Sequence, residues 1–430
     1  MNILDLGRSL LGIGILVAIC YVLSSNRKAI QWKLVVVSIA IQVGIAFLLI
    51  QVPLVKYFFE YIVRFFSVMI RSSQESAQFL FGDLAKPGSA YGFAFLVLPT
   101  IIFFSALSSI LYYFGILQRV VYGFAWLMNR TLRLSGAESL AAAINVFIGQ
   151  TEAPLVIKPY LARMSRSEML CLMTGGMATI AGSVFGAYMS MLGAGDEAQM
   201  LYFGMHLLTA SIVSAPAAIL AAKMLVPETE TVDQNMEVPP SEAGQNFLDA
   251  LARGTTDGLK LAVNVGAMLL AFMALVYLAN IMLTQLGQVA GLNHWLSETS
   301  NGRYQEFNLQ FILGILFSPL AWVIGVEWGD VIAVGQLLGE KTILNEFVAY
   351  LSLADMKNSH VLSDQSVLLA TYALCGFSNF ASIGIQIGGI GTLAPNQRTR
   401  ITQLGVKALI GGTIACLMTA CTANFITHLW

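Results

Sequence analysis

The chain has 430 residues, of which 57% are hydrophobic and only 11% charged, with a mean hydropathy of +0.73. Soluble domains carry roughly a quarter charged residues, so the composition describes a polytopic membrane protein. A formal net charge of −1 provides no basic face and argues against nucleic acid as a partner.

Crossing a bilayer takes about 20 apolar residues in a helix. The sequence predicts eight spans, near 9–24, 34–51, 92–116, 168–193, 198–224, 261–286, 364–391 and 402–426. The opening run "LLGIGILVAICYVLS" lacks a basic n-region and an A-x-A site, and reads as a first span rather than a signal peptide. After the second span, Lys56, Glu60, Arg64 and Arg71 share one helical stripe, with Tyr57, Phe58, Tyr61, Ile62, Phe65 and Phe66 elsewhere. That pattern predicts an interfacial amphipathic helix near 54–81. Basic residues flank the spans unevenly: Arg27, Lys28 and Lys33; Arg119, Arg130 and Arg133; Lys158, Arg163 and Arg166; Arg398 and Arg400. The loop "GAGDEAQ" between spans four and five has none. Positive charge accumulates on the cytoplasmic side, which predicts a multi-pass cell-membrane protein of the bacterial inner membrane with both termini outside. Residues 227–245, "PETETVDQNMEVPPSEAGQ", combine acids with prolines and read as a solvated, flexible cytoplasmic linker. The five cysteines lie in apolar runs without CxxC spacing and read as small hydrophobes.

One apolar stretch contradicts its surroundings. "GQTEAP" at 149–154 puts an amide, a hydroxyl and a carboxylate where lipid-soluble residues are expected. Basic clusters flank residues 138–163 on both sides, so both ends belong in the cytoplasm. Each half, about a dozen residues, reaches roughly 18 Å, to the bilayer midplane. The segment therefore reads as a re-entrant hairpin, which survives at that depth only when covered by protein or a watery cavity.

The arrangement recurs. "LNEFVAY" repeats a polar pair, Asn345 and Glu346, in an apolar setting. Each tip precedes a span interrupted by polar and small residues, "ATIAGSV" after the first and "GFSNFASI" after the second. Counting crossings makes the second hairpin enter from the outside. The fold class is then all-α and polytopic: eight transmembrane helices and two oppositely oriented re-entrant hairpins, related as an inverted repeat with broken helices. The weak point is Glu340–Lys341 in the second hairpin, which must face protein or water. Such repeats place a secondary transporter's site at the midplane.

These four motifs together, in order along nearly the whole chain, resemble the concentrative nucleoside transporter family in its bacterial form. The resemblance implies a homotrimer, an elevator-type movement and no enzymatic activity. It implies scaffold helices in 1–117 and 246–304, the latter an amphipathic helix with span six. Transport repeats would occupy 118–226 and 305–430, separated by the linker. It places Gln150, Thr151, Glu152 and Val184 at the nucleobase, and Glu346, Phe377, Asn379 and Ser382 at the ribose. It gives no cofactor but a coupling sodium ion, held by Asn145, Ile148, Thr179 and Ile180; a proton is the alternative driver. The chemistry agrees: an amide offers a donor and an acceptor to a base edge, and a carboxylate accepts strongly from ribose hydroxyls. Each polar residue has a plainer reading as a helix–helix hydrogen bond, least so for Glu152 and Glu346, since an intramembrane carboxylate is costly. A hairpin elevator for dicarboxylates would need cationic partners near the tips, and an intramembrane enzyme a nucleophile–base constellation; the sequence offers neither.

Overall fold

The computed structural model describes residues 3–86, 93–147, 149–150, 153–232, 246–299 and 304–429, and among these there is no β-strand. The first two predicted spans are α1 (Ile3–Leu23) and α2 (Trp32–Gln51). Pro53 opens α3 (Pro53–Phe81), where its missing N–H costs no helical bond. This is the expected amphipathic helix, with its aromatic residues divided. Tyr57, Phe58, Tyr61 and Phe65 are exposed, whereas Phe66 turns inward, stacked on Phe104 and edge-on to Phe185. An exposed aromatic row beside Lys56, Arg64 and Arg71 suits a bilayer interface.

The third span is α4 (Leu98–Tyr113). It is followed by α5 (Ile116–Leu132), where the sequence reading has only a basic loop. The reason was present in the pattern: Val121, Ala125, Met128 and Leu132 recur at helical spacing and are buried, while Arg119 and Arg130 are not. The first predicted hairpin comprises α6 (Gly136–Asn145), α7 (Ala153–Val156) and α8 (Lys158–Leu161). Its second arm is two single turns because Pro159 cannot donate to the turn before it. Span four is broken into α9 (Arg166–Ala178) and α10 (Gly182–Gly193), and span five is α11 (Glu197–Leu225).

Capping boxes, Ser135 with Glu138 and Ser165 with Glu168, start α6 and α9. Lys223, at the end of α11, pairs with Glu138 and reaches Glu228 at 3.4 Å. Glu228 also accepts from the Ser165 hydroxyl at 2.7 Å and from the Thr229 and Glu230 amides at 3.0 Å. The start of the 227–245 linker is thus bound to the first repeat, which corrects its reading as a solvated connector throughout. Residues 233–245 lie outside the described residues.

A second correction concerns 246–304. The expected amphipathic helix and sixth span are one continuous helix, α12 (Phe247–Val289), followed by α13 (Leu292–Thr299). Gly254 and Gly258 let α12 lie directly on α4, since a Cβ on Gly258 would come within 2.8 Å of the Ile102 Cα. The second repeat contains α14 (Leu309–Val323), α15 (Val331–Ile343), α16 (Glu346–Asn358), α17 (Asp364–Leu374), α18 (Phe380–Leu393) and α19 (Arg398–Leu429). The sequence reading did not anticipate α14, which is too short for a span and packs along α15.

Among the described residues, six helical stretches are long and apolar enough to cross a membrane: α1, α2, residues 94–113 ending in α4, α11, α12 and residues 395–429 ending in α19. The remaining predicted spans, four and seven, are the two broken ones. The chain is a multi-pass membrane protein. The apolar stretches of α11 and α19 are 83% and 78% buried but that of α12 only 19%, so the first two form the core. α12 turns Leu270, Tyr277, Leu278, Met282 and Val289 outward.

Candidate functional site

The site lies where the two helix breaks approach the two tips. Between α9 and α10 the backbone is extended at Thr179 and Ala181. The freed Gly182 amide donates to the Phe147 carbonyl, 3.1 Å away, tying this break to the first hairpin. Between α17 and α18 the chain passes through Gly376, φ +155°, where a Cβ would meet the Ala178 carbonyl group at 2.9 Å. The breaks therefore touch. The Cys416 thiol of α19 faces carbonyls of both, Ala178 at 3.6 Å and Cys375 at 3.2 Å. The Cys416 thiol thus has polar contacts, and the Cys375 thiol faces the Leu207 carbonyl at 3.8 Å, which a reading of both as plain hydrophobes leaves out.

From this junction a chain of hydrogen bonds links four elements. The Gln150 amide donates to the Ser382 hydroxyl at 2.8 Å, joining the first tip to α18. Asn379 caps α18 by accepting from the Ser382 amide at 2.8 Å, and its own NH2 donates to Glu346 at 2.9 Å. Tyr188 of α10 donates to the other Glu346 oxygen at 3.0 Å. Glu346 is the first residue of α16, where the positive helix end favours a carboxylate. All four side chains before Tyr188 in this chain are buried. Asn345, read with Glu346 as a polar pair, acts structurally and caps α16 by accepting from the Val348 amide.

Of the other expected site residues, Val184 is buried and Phe377 partly buried against the core. Thr151, Glu152 and Ile148 lie outside the described residues. Of the expected ion ligands, the Thr179 hydroxyl lies 2.7 Å from the Asn145 carbonyl and 2.9 Å from the Gly175 carbonyl. Ile180 is buried beside it. The Asn145 side-chain oxygen is buried with no hydrogen-bond partner among the described residues. An amide oxygen left so is expensive, and it is the kind of hard donor that binds a hard cation.

Two residues escaped the sequence reading. Tyr188 closes "FGAY" at the end of the first break's motif, and a phenol on an apolar helix is the available signal. Gln386 stands one turn after Ser382 in "ASIGIQIGG", and donates at 3.0 Å to both Gln150 and the Met173 carbonyl.

Comparison with known proteins places these residues in context. Residues 206–424 match the family model "Na+ dependent nucleoside transporter C-terminus", residues 94–195 the "Nucleoside recognition" gate, and 11–84 the corresponding N-terminus. An uncharacterized transporter of Haemophilus influenzae is 43% identical over 97% of this chain and 96% of its own. The nucleoside permease NupC of Helicobacter pylori is 36% identical over 97% of this chain and 96% of its own. The structure of CNTnw in an inward-facing substrate-bound state superposes with a TM-score of 0.88 at 38% identity, covering 99% of this chain and 98% of that one.

Proposed function

The chain belongs to the concentrative nucleoside transporter family, and from that premise we propose that it imports nucleosides across the cell membrane by sodium-driven symport. One observation carries the reading: the buried chain from Gln150 through Ser382 and Asn379 to Glu346 and Tyr188. It puts amide chemistry suited to a base edge at one end and a carboxylate suited to ribose hydroxyls at the other. Gln150, Thr151, Glu152 and Val184 take the nucleobase. Glu346, Asn379, Ser382 and Phe377 take the ribose. On binding, ribose hydroxyls donate to Glu346, and the base takes up the Gln150 donor now given to Ser382. Glu346 has lone pairs to spare for ribose, and Ser382, released by Gln150, turns to a ribose hydroxyl, so the site admits a polar solute without stranding a buried group.

Sodium is the co-substrate, held by the Asn145 side chain, the Thr179 hydroxyl and the carbonyls of Ile148 and Ile180. The unpartnered Asn145 oxygen supports this choice. The re-entrant hairpins and α9, α10, α11, α17, α18 and α19 form the moving body, carried elevator-fashion past a scaffold of α1, α2, α4 and α12. The assembly is a homotrimer, and the outward apolar face of α12 is open to a neighbouring copy or to lipid. Both termini lie outside.

Uptake of labelled uridine into vesicles containing the purified protein tests this reading. An inward sodium gradient should drive accumulation that collapses when potassium replaces sodium. Accumulation that follows a proton gradient and ignores sodium would replace sodium by a proton as driver. No nucleoside uptake under any gradient would overturn the substrate.

A further inference from the structure

The oxygen and nitrogen of a glutamine amide are assigned from their surroundings, and here the surroundings leave one choice. The Met173 carbonyl can only accept, so the Gln386 atom facing it is its NH2. That same nitrogen faces Gln150. An NH2 cannot accept, so the Gln150 atom meeting it is the carbonyl oxygen. The Gln150 NH2 is thereby turned the other way, toward Ser382 and the site. Flipping Gln386 would set its oxygen against the Met173 carbonyl. Its oxygen has no partner among the described residues in the present orientation, so the placement serves the nitrogen. Nor is there room for the pair to drift: a Cβ on Gly176 would meet the Gln150 Cβ at 2.8 Å and the Gln386 nitrogen at 3.0 Å.

We propose that Gln386 is a specificity-determining positioning residue, which locks the Gln150 amide so that its N–H donors face the base and so favours bases presenting a carbonyl over those presenting an amine. Gln386 does not touch the nucleoside; it acts through Gln150. The inference rests on Gln150 being a base contact.

A change at Gln386 reads out as a ratio of affinities, which a general loosening of the protein does not alter. The measurement is binding of uridine against cytidine, and of inosine against adenosine, to the purified full-length transporter in saturating sodium. The native protein should prefer the carbonyl member of each pair. Gln386→Glu forces the reverse orientation in either protonation state: a carboxylate can only accept from Gln150, and a carboxylic acid whose single proton goes to the Met173 carbonyl turns only hydroxyl lone pairs toward Gln150. The preference should then move by about tenfold or more toward cytidine and adenosine. Gln386→Leu frees Gln150 to rotate, and the preference should shrink toward equality. Gln386→Leu decides alone if Gln386→Glu does not fold. Ratios within about twofold of the native values in each folded variant, with Gln150→Ala clearly weakening binding, would overturn the proposal. If Gln150→Ala leaves all four affinities unchanged, the base-contact reading itself fails.

Discussion

The two repeats share an order of elements but equip their helix breaks differently. In the second, the Lys341 side chain is buried and its amine donates at 2.9 Å to the Ala373 carbonyl, in the last turn of α17. A helix C-terminus carries partial negative charge, and here a tethered cation answers it. In the first, α9 ends against Thr179 and Asn145, no lysine serves the break among the described contacts, and the Asn145 side-chain oxygen is unpartnered. The tips differ in the same sense. Glu346 is gripped from two sides, by Tyr188 and Asn379, whereas the described partners of Gln150, Ser382 and Gln386, are neutral. The second break is met by a lysine, and the first by a neutral amide whose oxygen has no partner among the described residues.

The comparison breaks first at Glu346. Glu346→Gln keeps the shape but removes the charge that strengthens bonds from ribose hydroxyls. Loss of one charged hydrogen bond is worth roughly 1.5–3 kcal/mol, so uridine affinity by titration calorimetry should fall about ten- to a hundred-fold. Native affinity in this variant would remove the second tip from the site.

Lys341→Met tests whether the tethered cation is structural. Removing a buried charged donor leaves the Ala373 carbonyl unpaired, and about 1–3 kcal/mol of stability should go with it. The protein should melt at a lower temperature, with its sodium requirement little changed. A sodium dependence that steepened instead would mean that a free ion had taken the ammonium's place.

Asn145→Ala sharpens the other side. The sodium concentration for half-maximal uridine binding should rise several-fold, by about 1 kcal/mol, while uridine affinity at saturating sodium stays near native. Equal loss at every sodium concentration would point to a packing role for Asn145 instead.

How much of this was legible follows from the range of each interaction. The helices, both breaks and the tip residues announce themselves locally, as polar and glycine residues interrupting apolar runs. The orientation of Gln150 does not, because Gln386 lies far away in sequence and neither residue is unusual alone. Tyr188 is equally mute without Glu346 opposite. α5 is hard to see in the sequence because its arginines interrupt the helical row Val121, Ala125, Met128 and Leu132 that is buried. The division of 246–304 failed for the converse reason: a change from polar to apolar surface looks like a boundary, but no proline breaks α12 and its helix continues through.

The smallest expected effect concerns the connection between the repeats. Glu228 binds the start of the linker to the first repeat through Ser165 and Lys223. Partial burial pushes its carboxyl up, but the Glu230 amide, the Ser165 hydroxyl and the Lys223 ammonium together hold it below the usual range. A lowered value means that the folded state favours the ionised form, so the stabilisation is complete above the unfolded carboxyl's pKa, about 4.3. It is lost as pH falls through the lower folded value. The side chain keeps contact with solvent, 13% exposed, and an ion pair at such an edge is worth no more than about 1 kcal/mol. Glu228→Gln should therefore leave the melting temperature almost unchanged. It should speed hydrogen exchange at the Thr229 and Glu230 amides, both of which donate to this carboxylate. Native protein should show the same loosening below the folded pKa, once exchange is corrected for its intrinsic dependence on pH. Unchanged protection in Glu228→Gln would mean that the linker is held by its backbone, and that the carboxylate follows it there.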